Sequence, residues 1–358
     1  MAPAGCRHGG QGQGRRRRRP CRQFHRGSER VTSDRPPPVL IRSGSASGTV
    51  LTVSLEDLPA WLPGWCVEQL GDEPVSVVFE RSSLSVVFGL RLAGDHVVVV
   101  KAREDDGRAA SCVAVQARLA ERGFPCARPL TPAVGVGALA VHAEEFRPGG
   151  ELLPGDSPDV AARYAAVFAR LMTELASVTV APPLPNPRWV RWDHTDPGLW
   201  PAIRELDVRD QGAVPDNVID TAARVRRRLL GTDLPCVLGH GDFEAQNLRW
   251  HDGDVWVVHD WDSLAWQPEA ALAGAACGAF ASVSPPTLAP IESSAAFLAA
   301  YQDLRGRRFT AEEQEVAWAA SLWPAVHNAR WEAVHGDAPV ACEAVGAQAV
   351  ERLRRANA

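Results

Sequence analysis

Short β-type apolar runs dominate the chain just after residue 50. Residues 76–79 alternate, 86–92 run apolar, a turn follows at Ala93-Gly94-Asp95, and Val97-Val98-Val99-Val100 is wholly β-branched. Each run predicts a strand. Helix-type spacing over 109–122, closed by Gly123 and Pro125, predicts the first long helix, and a further strand is predicted over 138–146, ending at Pro148-Gly149-Gly150. Beyond it the spacing is mostly helical, broken by a Pro- and Trp-rich loop over 182–201 and by two short apolar strands around the polar turn His251-Asp252-Gly253-Asp254. The order predicts an α+β chain of two lobes, a small β-sheet lobe over 50–147 and a larger helical lobe over 148–358.

Composition adds a tail to this picture. Residues 1–49 hold eleven arginines against two acids, a charge of +9, which leaves −14 of the net −5 on the remainder. The segment is rich in Gly, Pro, Ser and Arg and is expected to be disordered. Arg15 to Arg19 form one run. Both a nucleic-acid arm and a plain extension ahead of a start near Val50 fit it, and the lack of interleaved aromatics favours the extension. No apolar run is long enough to span a bilayer, and no signal-peptide core is present. The eight cysteines include no CxxC pair, which argues against a zinc or disulfide framework and suits the cytoplasm. Of 38 basic residues one is lysine, Lys101, at the end of the Val97–Val100 run. Arginine cannot supply lysine's compact point charge.

The chemistry concentrates in His240-Gly241-Asp242-Phe243-Glu244-Ala245-Gln246-Asn247 and in His259-Asp260-Trp261-Asp262. These two stretches flank the predicted hairpin, and a hairpin returns the chain to its starting point. Asn247 and Asp260 are therefore expected side by side, offering an amide oxygen and a carboxylate of the kind Mg²⁺ takes. Asp242 can face the same cavity. A carboxylate for a hydroxyl, an Asn and an Asp for metal, and a lysine for phosphates are the parts of a phosphoryl-transfer site.

On these residues the chain resembles the aminoglycoside phosphotransferase family, small-molecule kinases of the protein-kinase-like fold. The resemblance rests on the His-Gly-Asp-x-x-x-x-Asn motif, on Asp260-Trp261-Asp262, on the Val-Val-Val-Val-Lys strand and on Gly123-Phe124-Pro125. It implies a two-lobed fold and transfer of the γ-phosphoryl of ATP or GTP to a small-molecule hydroxyl. It implies Asp242 as catalytic base, Asn247 and Asp260 as Mg²⁺ ligands, Lys101 on the α/β phosphates and His240 as a structural brace. The serine-rich turn with Ser82, Ser83 and Ser85 takes the place of the phosphate-covering loop. Glu144-Glu145-Phe146 lies at the lobe junction, where backbone groups meet the adenine, so Glu145 and Phe146 are nucleotide-binding candidates.

One element departs from the family pattern. Its first helix carries a glutamate that pairs with the strand lysine, but here Cys112 or Val113 stands near that place and no acid lies between Arg108 and Leu119. Gln116, one turn on, is the nearest substitute, through its amide oxygen. A weakened or non-catalytic nucleotide-binding relative therefore stays open. So does a metal-dependent His/Asp phosphohydrolase built on His240, His259 and Asp260, with His194 and His327 as further ligands. Acceptor contacts are expected among Trp189, Trp192, Asp193, Trp200, Trp266, Trp318, Trp323, Asn328, Arg330 and Glu332, and from Glu244 and Asp262 inside the motifs. The acidic body favours a cationic acceptor such as an amino sugar, with an uncharged alcohol also compatible.

Overall fold

Five antiparallel strands build the first part of the molecule: β1 (Pro74–Ser82), β2 (Val86–Leu92), β3 (Val97–Glu104), β4 (Val134–Val136) and β5 (Leu139–Glu145), ordered β1-β2-β3-β5-β4. The computed structural model describes residues 54–82, 84–180, 186–281 and 288–358, all within one compact unit, Ile41–Ala358. The arginine-rich tail and Ser83 lie outside the described residues. One face of the sheet presents Phe88, Leu90, Val98, Val100, Ala102, Val141 and Ala143 to Leu62, Trp65 and Cys66 of helix α1 (Leu62–Leu70). Because strand side chains alternate, the residues between them, Val99, Lys101 and Arg103, face the other way. Helix α2 (Ala109–Glu121) follows β3 and precedes β4 along the chain. The strand predicted to stop near Lys101 runs on to Glu104, since Ala102 still fills the core and Arg103 is buried.

The helical part comprises α3 (Pro158–Leu175), α4 (Arg204–Asp207), α5 (Asp216–Leu230), α6 (Glu269–Ala279), α7 (Ile291–Leu304), α8 (Ala311–Ala320), α9 (Trp323–His335) and α10 (Val340–Arg355). Its core centres on Tyr164, Phe168, Phe243, Phe280, Phe297 and Tyr301. Helices α6 and α8 touch backbone to backbone at Gly274, where an added Cβ would stand 2.2 Å from the carbonyl oxygen of Ala317. Gly274→Ala must push the two helices apart, and overpacking of this kind costs about 1–3 kcal/mol. A clear fall in the thermal midpoint is the expected result, read by calorimetry.

Two nested hairpins hold the middle of this part. The outer one pairs β6 (Cys236–His240) with β9 (Leu264–Pro268), and the inner pairs β7 (Leu248–His251) with β8 (Asp254–Val258). The inner turn runs through Asp252 and Gly253, both at positive φ (48° and 89°), as a tight hairpin turn requires. The stretches linking outer to inner, residues 241–247 and 259–263, therefore run past each other. They are joined by Gly241 N–H to the Ser263 carbonyl at 2.8 Å and His259 N–H to the Asn247 carbonyl at 2.8 Å.

Candidate active site

That side-by-side run brings the motif residues together. Asn247 closes a short 3₁₀ turn (Ala245–Asn247), and its amide donates to the backbone oxygen of Asp242 at 3.0 Å and to Asp242 Oδ2 at 3.4 Å. Asp260 sits across from Asn247 in the left-handed region, φ 61° and ψ 50°, a conformation Asp tolerates better than most residues. Its Oδ2 accepts from the Ser263 hydroxyl at 2.6 Å, and Ser263 Oγ in turn accepts from the indole of Trp189 at 2.9 Å. His240 is buried, with Nε2 against the His259 carbonyl at 3.1 Å and Nδ1 accepting from Asp242 N–H at 3.3 Å. These contacts suit the neutral Nε2–H tautomer, and burial lowers the ring's pKa in agreement. His240 thus ties both linking stretches together. Trp261 packs edge-on to His240 at 5.6 Å and to Phe124 at 5.8 Å, which fastens Gly123-Phe124-Pro125 to the site.

Lys101 reaches this cluster from β3. Its Nζ lies 2.9 Å from Glu144 Oε1, with side-chain exposures of 13 % and 4 %. The lysine's acid therefore comes from strand β5 and not from helix α2. Gln116 does not offer its amide oxygen to the lysine. Its Nε2 donates instead to Glu144 Oε2 at 2.8 Å and to the Ala127 carbonyl at 2.8 Å. Burial alone would lower the lysine's pKa, but Glu144, then Asp262 and Asp260, hold it above its ordinary value. Burial alone would raise that of Glu144, but Lys101, His142 and the Gln116 amide hold it down. The pair is charged.

Asp242 lies in an acidic pocket. Burial, then Glu244 and Asp260, push its pKa well above the usual carboxylate range, and burial lifts Glu244 to about 7. Glu244 also meets Asn328 on α9 and accepts from the Gln246 amide. It borders a hollow of about 10 Å³ lined by Gly278, Ala279, Pro324, Ala325 and Ala341. A carboxyl whose pKa rises on folding stabilises the fold at acid pH, and that gain is lost as pH climbs from 4.5 toward about 7. Glu244→Gln is therefore expected to raise the thermal midpoint of the nucleotide-free protein by a few degrees at pH 8 and to leave it unchanged at acid pH, read by differential scanning fluorimetry.

The remaining candidates divide. Ser82 ends β1 with its hydroxyl buried and, among the described residues, without a hydrogen-bond partner, and Ser85 stands just before β2. Glu145 closes β5 at the junction and Phe146 follows it, Glu145 bonded to Arg128 at 2.7 Å and Phe146 6.0 Å from the ring of Phe79. Asp262 turns to the sheet and not toward an acceptor. Its carboxylate is 3.5 Å from Arg103, and its backbone oxygen accepts from Arg108 at 3.1 Å. Arg108 also holds the Leu264 carbonyl at 2.6 Å. Glu332 is a helix cap, accepting from the backbone N–H groups of Ala341 (2.8 Å) and Cys342 (3.1 Å) at the start of α10. Trp192 is core, 8 % exposed. Asp193 pairs with Asn186 at 3.1 Å and acts on Cys236, at the far end of β6, about 13 Å along the strand from His240. Trp318 lies under Arg355 at 4.5 Å, and Arg330 holds Asp207 at 2.7 Å. His194 and His327 belong to a cluster around Trp200 and Arg330. Among the described residues no three His, Cys, Asp or Glu side chains group to hold a metal. Ser263 and Arg108, which steady Asp260 and its flanks, are additions to the sequence-based set, and Trp189, expected among the acceptor contacts, bonds Ser263 instead. Arg108, just ahead of a helix that lacks its acid, was the one visible signal.

A five-stranded sheet carrying a buried lysine, set against a helical body carrying Asp242, Asn247 and Asp260, defines a two-lobed kinase-like phosphotransferase. The model of the phosphotransferase enzyme family matches residues 88–271, just over half the chain. The chain belongs to that family. No curated protein matches it. Among solved structures, an amicoumacin kinase in complex with AMP-PNP, Ca²⁺ and Ami superposes with a TM-score of 0.55 at 12 % identity, covering 78 % of this chain and 88 % of that one. A thermostable mutant of aminoglycoside phosphotransferase APH(4)-Ia, in ternary complex with AMP-PNP and hygromycin B, gives 0.49 at 15 % identity over 83 % and 99 %. An aminoglycoside phosphotransferase from Alicyclobacillus acidocaldarius gives 0.46 at 14 % over 81 % and 92 %. Among the described residues no helix is long and apolar enough to cross a membrane.

Proposed function

We propose that this phosphotransferase moves the γ-phosphoryl group of ATP or GTP to a hydroxyl of a small molecule, an amino sugar or other small alcohol, with Mg²⁺. The observation that carries the reading is the meeting of Asp242, Asn247 and Asp260 where the two linking stretches run past each other, within electrostatic reach of Lys101. The amicoumacin kinase that shares the fold is seen with AMP-PNP, an ATP analogue. The Lys101–Glu144 pair supplies the acid that the first helix lacks, which favours an active enzyme over a silent relative.

The donor set fits Mg²⁺. The Asn247 amide nitrogen is spent on Asp242 and Asp260 Oδ2 on Ser263, which leaves Asn247 Oδ1 and Asp260 Oδ1 as hard oxygens for a cation. Bound there, Mg²⁺ neutralises charge on the transferring phosphates. Lys101 binds the phosphates from above, and the hydroxyls of Ser82 and Ser85 with the turn's backbone cover them. Backbone groups at Glu145 and Phe146 receive the base. Asp242 orients the acceptor hydroxyl and takes its proton as the acceptor O–P bond forms and the bond to the nucleoside diphosphate breaks. Glu244 and Asn328 line the acceptor side, and the acidic pocket favours a cationic group there.

The test is a transfer assay with the full chain, Mg²⁺ and ATP or GTP across hydroxylated amines, sugars and macrolides. Phosphorylation of at least one acceptor is expected. Nucleotide hydrolysis with no transfer to any acceptor would overturn the reading.

A further inference from the structure

In a sheet, residues on neighbouring strands that face the same side are held in register by the backbone ladder. Here β3 and β5 pair antiparallel with Val99 opposite Glu144 and Lys101 opposite His142. Lys101 and Glu144 are thus diagonal neighbours on one face, a spacing that long side chains bridge. A buried ion pair persists only if its remaining lone pairs and protons are satisfied. Glu144 meets that condition, because its second oxygen accepts from Gln116, 1 % exposed on α2, at 2.8 Å. The Gln116 amide is itself fixed on the Ala127 carbonyl at 2.8 Å. The helix thus contributes a neutral brace where the family pattern has an acid.

We infer that Glu144, carried on the strand that leads into the lobe junction and braced by Gln116, is the positioning residue that aims Lys101 at the nucleotide phosphates in place of a helix glutamate. The inference rests on the nucleotide-dependent reading above and assigns the lysine's orientation to the sheet. It has a mechanical consequence. An acid on a helix moves away from the lysine when the helix swings, whereas an acid on the adjoining strand keeps its backbone fixed beside the lysine by the β3–β5 ladder. Helix α2 is itself tethered at its start, through Arg108 to the Asp262 and Leu264 carbonyls. The grip on the phosphates is therefore assembled before nucleotide arrives, and Glu145 and Phe146, which follow Glu144 directly, link it to the base-binding end.

Because Lys101 is the sole lysine, protein made with ε-¹³C-lysine shows one lysine signal, so its titration is read without assignment. The groups acting on it are Glu144, Asp262 and Asp260, and it acts in turn on His142, His240 and His259. In the parent the signal is expected to titrate above 10.5, and in Glu144→Gln below it, since desolvation then goes uncompensated. Calorimetry with AMP-PNP and Mg²⁺ supplies the second readout. Glu144→Gln is expected to weaken binding about tenfold, the worth of one charge-assisted contact. The double variant with Lys101→Met is expected to bind no more weakly than Lys101→Met alone. Losses that add in the double variant, or a Glu144→Gln protein that titrates and binds like the parent, overturn the positioning role. Should Glu144→Gln fail to fold, Gln116→Met keeps both charges and removes the brace; a severalfold loss of affinity supports the inference and unchanged affinity overturns it. A parent that binds no nucleotide overturns the functional reading beneath it as well.

Discussion

Asp242→Asn is expected to cut phosphoryl transfer about 1000-fold while nucleotide affinity stays within a factor of two or so of the parent's, a general base contributing about 10²–10⁴. The substitution is isosteric, and the contact that fixes the loop, the Asn247 amide on the backbone oxygen of residue 242, does not involve the side chain. What is lost is an oxygen able to take the acceptor's proton. The stability change should run the other way. Burial and Glu244 penalise the Asp242 carboxylate and raise its pKa, so the folded protein gives up stability on ionising it as pH rises through that range. The Asn variant escapes this penalty and should melt at or above the parent's temperature at pH 8. Turnover with the best acceptor, an AMP-PNP titration and a melting curve decide the matter. Activity within tenfold of the parent would remove Asp242 from the chemistry.

The architecture was legible in the sequence wherever a local pattern had one structural solution. The β-branched run before Lys101 forms a strand, and the Asp252-Gly253 turn closes the inner hairpin, which places Asn247 beside Asp260. Residues that act through distant partners were not legible. Glu144 was in view only for its backbone at the lobe junction. Its carboxylate becomes the lysine's partner through the β3–β5 register, which no spacing along the chain reports. Expecting the acid on α2 followed the local order of the family pattern, and Gln116 was nearly the right residue with the wrong atom, since its N–H and not its oxygen is used. Glu332 and Asp193 looked available because they are acidic and near tryptophans. The backbone N–H groups in the first turn of α10 and the amide of Asn186 claim them instead. Asp262 was expected among the acceptor contacts, yet within the 3₁₀ turn at Trp261–Ser263 its carboxylate meets Arg103.

Asp260→Gly should abolish the extra thermal stabilisation that AMP-PNP gives in Mg²⁺ over EDTA, and with it all but a trace of turnover. Glycine is the informative substitution here. Asp260 sits at φ 61°, where alanine would add backbone strain of about 1 kcal/mol and glycine adds none, so a folded variant that ignores Mg²⁺ isolates the loss of the carboxylate. Ser263→Ala supplies the graded companion. It leaves Asp260 in place and removes the 2.6 Å hydrogen bond that turns Oδ2 away from the cation. Losing such a supporting contact costs about 10–100-fold in metal affinity, so this variant should recover its stabilisation at raised Mg²⁺ while Asp260→Gly does not. The distinction matters because both substitutions loosen the same linking stretch. If weakened folding were the whole effect, neither would respond to added metal, and both would already melt early without nucleotide. Recovery in Ser263→Ala alone assigns the cation to Asp260 itself.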